Sequence, residues 1–70
     1  MSKVKELREI QGLKQDDIAI ILDISPANYC KKENGTIKFS LPEAKKLADF
    51  FNTTIEAIFF TSEVSKSDTL

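Results

Sequence analysis

Apolar residues in this chain recur three or four positions apart, in stretches that are each cut off by a helix-capping or helix-breaking residue within about ten positions. Val4, Leu7 and Ile10 mark a first amphipathic helix that stops before Gly12. Residues 15–22 form a second, with Ile18, Ala19 and Leu22 on one face and Asp16 and Asp17 favouring its N-terminus through the helix dipole. Asp23 and Ile24 are a short joint. Ser25 is an N-cap with Pro26 at the first helical position, where a missing N–H costs nothing, and the third helix ends at Glu33 before Asn34-Gly35, a pair suited to a left-handed turn. Thr36 to Phe39 reads as a loop. Ser40-Leu41-Pro42-Glu43 is a capping box that opens a fourth helix with Ala44, Leu47, Ala48 and Phe51 inward, closed by Asn52. Thr54 caps a short fifth helix with Ile55, Ile58 and Phe59 inward. No segment sustains the two-residue alternation of a strand. The expected architecture is all-α: five short helices around one core over residues 1–60, followed by a polar tail at 61–70 that lacks periodicity.

Several chemistries are set aside by composition. The chain has 70 residues, one cysteine (Cys30) and no histidine, so an internal disulfide, a zinc site and histidine acid–base catalysis have no residues to build them. No phosphate-cradling glycine loop occurs, and the carboxylates are scattered over solvated faces, so no enzyme, cofactor, metal or small-molecule substrate is expected. The charged opening residues leave no apolar stretch for a signal peptide, and no run is long enough to span a membrane; a cytoplasmic setting is expected. The net charge of −1 gives no global attraction to phosphate, but its distribution is uneven: residues 1–24 carry −1, residues 25–46 carry +3 and residues 47–70 carry −3.

The second and third helices, with the tight joint between them, have the order of a helix-turn-helix. The fragments Leu7-Arg8-Glu9, Gly12-Leu13-Lys14-Gln15, Ile18-Ala19, Leu22, Ser25, Glu33-Asn34-Gly35, Leu47-Ala48 and Ile55-Glu56 stand in the order and spacing of one family. From Leu7 to Phe60 the chain resembles the lambda-repressor/Cro-like family, also called the XRE family. That resemblance implies a compact five-helix domain and a small prokaryotic or phage transcriptional regulator that binds double-stranded DNA with its third helix in the major groove. It implies base-edge contacts from Pro26, Ala27, Asn28 and Lys31. Phosphate contacts fall to Lys14, Gln15, Asn34, Thr36 and Lys38, and a structural ion pair to Arg8 and Glu33. A palindromic operator and a homodimer follow for the family, with Ile58, Phe60 and Val64 as candidates for the dimer surface.

Three positions depart from the family's pattern. Lys14 stands where a Ser, Thr or Asn cap is usual, Asp23 where glycine is usual, and Lys32 at a commonly apolar site. Ile20 and Ile21 occupy the outer side of the second helix, either covering the aliphatic stem of Lys32 or forming a partner surface. Pro26 and Ala27 can offer bases only apolar contact. These features, with the acidic balance, favour an alternative: a protein-interaction module on the same fold, an antirepressor or antitoxin-like regulator with weak or no DNA binding.

Overall fold

The computed structural model describes residues 3–59, which form five helices: α1 (Val4–Ile10), α2 (Gln15–Leu22), α3 (Pro26–Glu33), α4 (Leu41–Phe50) and α5 (Ile55–Ile58). The caps follow the sequence signals. Ser25 Oγ accepts from the Asn28 N–H at 3.1 Å, and Thr54 Oγ1 accepts from the Ala57 N–H at 3.2 Å. Both halves of the capping box at Ser40 are made, with Ser40 Oγ accepting from the Glu43 N–H and a Glu43 carboxylate oxygen accepting from the Ser40 N–H. Asp23 ends α2 in the left-handed conformation at φ 59°, which aspartate tolerates better than most residues, so the missing joint glycine is replaced without a change of path.

α2 packs against both α3 and α4, and α4 packs against α5. The core is built from Val4, Ile18, Ala19, Leu22, Tyr29, Phe39, Ala44, Leu47, Ala48, Ile58 and Phe59. Through its middle runs an aromatic column, with Phe39 lying 6.3 Å from Tyr29 and 5.1 Å edge-on from Phe59. The start of α1 is tied to the end of α5 by the Lys3 N–H donating to the Ile58 carbonyl at 3.1 Å.

Two expectations need correcting. Ile10 is 77% exposed, not inward. At about 100° per residue, steps of three drift off one face, so Val4 and Arg8 share the inner stripe while Ile10 rotates out. Phe39 lies in the loop, as read, but is fully buried, because the loop turns inward to seat its ring between Tyr29 and Phe59. Ile58, named for a dimer surface, is 4% exposed and belongs to the core, so its side chain is not available to a second copy. Ile20 is 77% exposed, as the partner-surface alternative requires, whereas Ile21 is half-buried against the core. Phe60, Val64 and the polar tail at 61–70 lie outside the described residues. Among the described residues no helix is long and apolar enough to cross a membrane.

Candidate nucleic-acid interface

The joint between α2 and α3 is fixed by backbone. The Asp23 N–H donates to the Ile20 carbonyl and the Ile24 N–H to the Ala19 carbonyl, at 3.1 and 3.0 Å, which satisfies the end of α2 and redirects the chain within three residues. α3 then has two unlike sides. Tyr29 and Glu33, four residues apart on one stripe, are buried. Pro26, Ala27, Asn28 and Lys31 are all exposed. Ala27, Asn28 and Lys31 occupy the surface opposite the buried stripe, whereas Pro26, three residues before Tyr29, lies in line with that stripe and is open at the N-terminal end of the helix.

The buried side of α3 is held by a polar network centred on Glu33. Arg8 Nε donates to Glu33 Oε2 at 2.8 Å and Arg8 Nη2 to Oε1 at 3.1 Å, a two-pronged ion pair between residues that are 8% and 7% exposed. Arg8 Nη1 donates to the Leu13 carbonyl at 2.8 Å, linking α1 to the segment that enters α2. Gln15 Nε2 adds a bond to Glu33 Oε1 at 2.8 Å, and the Tyr29 hydroxyl donates to Oε2 at 2.6 Å. Among the described residues no buried side-chain nitrogen or oxygen lacks a partner. Burial pushes the Glu33 carboxyl upward, but donation by Arg8, Tyr29 and Gln15 outweighs it and holds the group below the ordinary glutamate range. The bond to Glu33 raises Arg8 further, and burial together with donation to Glu33 raises Tyr29, so the phenol keeps its proton.

The phosphate candidates are placed around this block. Lys14 is the N-cap of α2, but an ammonium has no acceptor and caps nothing; its backbone N–H donates to Asp17 Oδ2 at 2.8 Å, the surviving half of a capping box. The first N–H groups of α2 therefore have no side-chain acceptor, although Asp16 and Asp17 beside them disfavour an anion. Gln15 is only half-buried, but its amide nitrogen is engaged by Glu33. Asn34 caps the end of α3, and its Oδ1 receives both the Thr36 N–H at 3.1 Å and the Thr36 hydroxyl at 2.7 Å, while the Thr36 and Ile37 N–H groups donate to the Lys31 carbonyl. Gly35, at φ +90°, makes this turn available. Asn34, Thr36 and Lys38 are exposed.

Two groups escaped the sequence reading. Tyr29 carries a bond to Glu33 whose signal was the Tyr–Glu spacing of four on a helix otherwise poor in apolar residues. Lys32 has a side chain only 13% exposed and places Nζ 2.9 Å from Glu43 Oε1 and 3.1 Å from the Lys38 carbonyl. A lysine at an apolar site followed by a capping-box glutamate was the available clue. No group of three or more metal-ligating side chains comes together among the described residues.

A family model described as helix-turn-helix matches residues 4–58, all five helices. No curated protein matches the chain significantly. With the two-helix motif, its joint and the closing helices in place, the chain belongs to the helix-turn-helix family of the lambda-repressor/XRE kind, a family of DNA-binding regulators.

Proposed function

We propose that the chain is a sequence-specific regulator of transcription that inserts the first two turns of α3 into the major groove of a DNA duplex. One observation carries this reading: α3 is locked on its inner side by Tyr29 and Glu33 while Ala27, Asn28 and Lys31 stand exposed on the outer side and Pro26 is exposed at its first turn. A helix of this width fits a groove about 12 Å across. Asn28 has the donor–acceptor pair that adenine requires, Lys31 donates to guanine or phosphate, and Pro26 and Ala27 meet thymine methyls. Asn34, Thr36 and Lys38 take phosphates and set the register, and Lys14, whose charge opposes that of Asp16 and Asp17, takes another together with the backbone at Gln15. The +3 balance of residues 25–46 supplies the local attraction that the whole chain lacks.

In this account the chain works as a homodimer on a palindromic operator, because two recognition helices about 34 Å apart match one turn of the duplex. With Ile58 in the core, the surface joining two copies lies elsewhere. Selection from random duplexes followed by salt titration tests the function. The expected result is a two-fold-symmetric site whose affinity falls steeply, by orders of magnitude, between about 50 and 200 mM salt as counterions are released.

A second reading, a protein-interaction module of the antirepressor or antitoxin-like kind, is favoured by Ile20, which is 77% exposed on α2. It predicts an affinity for a protein partner that barely responds to salt and no selected duplex.

A further inference from the structure

We propose that Lys32 and Glu43 form a clamp that positions the phosphate-binding loop between α3 and α4, with Lys38 as the residue it presents to DNA; this rests on the DNA-binding reading above. Lys32 Nζ lies between two acceptors on the far side of that loop, the Lys38 carbonyl at 3.1 Å and Glu43 Oε1 at 2.9 Å. The same Glu43 oxygen accepts the Ser40 N–H at 2.8 Å. One carboxylate oxygen therefore joins the last turn of α3 to the first turn of α4, straddling residues 34–39. The near half of the loop is held independently, by Asn34 Oδ1 and by the Lys31 carbonyl. At the far half Phe39 is anchored in the core, so Lys32 fixes the Lys38 carbonyl between those two anchors.

The geometry also assigns Lys32 a role distinct from that of the exposed lysines. Both side chains of the pair are largely covered, at 13% and 16% exposure, whereas the exposed Lys45–Asp49 pair on α4 is at 70% and 67% and spans 3.5 Å. A lysine so placed cannot reach a phosphate without leaving Glu43, whose carboxylate is held below its ordinary range by the Ser40 N–H and by Lys32 against the effect of burial. Lys32 is a positioning residue, acting on DNA through the backbone of Lys38.

The test uses the full chain and four variants. K32M keeps the aliphatic stem and removes the clamp; E43Q keeps an acceptor for the Ser40 N–H and removes the charge; K32R preserves both bonds; K38A removes the presented group. In the protein without DNA, backbone order at Ile37 and Lys38 should fall in K32M and E43Q from the rigid range toward that of a flexible loop, below about 0.6 in S², and be restored in K32R. On a selected duplex, K32M and K38A should each lower the slope of log K against log salt by about 0.9, and the double variant should lower it no further. E43Q should weaken binding. If Lys32 instead contacts phosphate directly, the two losses add to about 1.8 and E43Q strengthens binding by releasing the lysine, which overturns the proposal. Unchanged loop order in K32M overturns it as well. Should the clamp order the loop while the parent chain selects no duplex, the DNA reading fails and the positioning role falls with it.

Discussion

Gln15 Nε2 donates to Glu33 Oε1 over 2.8 Å, so the first residue of α2 is fastened to the last residue of α3. The bond fixes the angle between the two helices of the motif from the buried side. It also takes one of the two amide hydrogens of the side chain that family resemblance would aim at a phosphate, leaving the other and the backbone N–H for that contact. Q15A is expected to lower stability by about 1.5–3 kcal/mol, as for loss of one hydrogen bond to a charged group, while the salt slope of duplex binding stays the same. Urea unfolding checks the stability and a salt titration the slope; unchanged stability in Q15A would reverse the assignment.

Acid should loosen the same joint. Glu33 titrates below the 4.5 of a free glutamate because Arg8, Tyr29 and Gln15 donate to its carboxylate. As pH falls, the unfolded chain takes up that proton before the folded one does. The stabilisation is therefore fully present above the unfolded value and is lost as pH drops through about 4.5 toward the lower folded value. Y29F removes one donor, moving the folded value back toward the ordinary one. Its stability at pH 7 should be about 1.5–3 kcal/mol lower, and its loss between pH 6 and pH 3 smaller than that of the parent. Urea midpoints across that range measure both.

Much of the helix pattern was legible in the sequence, because its punctuation is local. Ser25-Pro26, the Ser40–Glu43 box, Asp23 and Asn34-Gly35 each fix a terminus through contacts within four residues, and the helices end where these residues place them. What stayed hidden depends on partners far along the chain. Arg8 and Glu33 are 25 residues apart, and only the family resemblance paired them; neither helix alone shows why a charged residue should face inward. Phe39 lies in a loop, as read, but that its ring closes the core between Tyr29 and Phe59 depends on how the helices on either side dock. Of the site, exposure of Ala27, Asn28 and Lys31 on one surface follows from helical spacing, whereas the capture of Lys32 by Glu43 requires α4 to be docked.

The two isoleucines of α2 that differ by two positions should behave oppositely. Ile18 is fully buried and Ile20 is 77% exposed. I18A is expected to cost about 2–5 kcal/mol through lost transfer energy and a residual cavity, and I20S to change stability by no more than about 0.5 kcal/mol. Thermal unfolding of the two variants is sufficient, and a large loss in I20S would mean that Ile20 is covered in solution.

Backbone conformation makes a further distinction. Gly35 sits at φ +90° with open space where a Cβ would stand, so Gly35→Ala meets no clash and its cost lies in the backbone conformation. A cost of about 1–2 kcal/mol is expected from the strained φ alone. Asp23 already adopts φ 59°, and Asp23→Gly should relieve strain there. Opposite shifts in the denaturant midpoint are the expected outcome.

The central claim is that the exposed side of α3 is the surface that meets a duplex, and backbone amide shifts of the ¹⁵N-labelled chain titrated with a selected duplex test it most directly. The account predicts the largest changes over Ser25–Lys31, with a second set at Lys14–Asp16 and Asn34–Lys38, and little change at Ile10, Ile20 and Phe50. Changes gathered around Ile20 and the outer side of α2, with residues 25–31 unmoved, would contradict it.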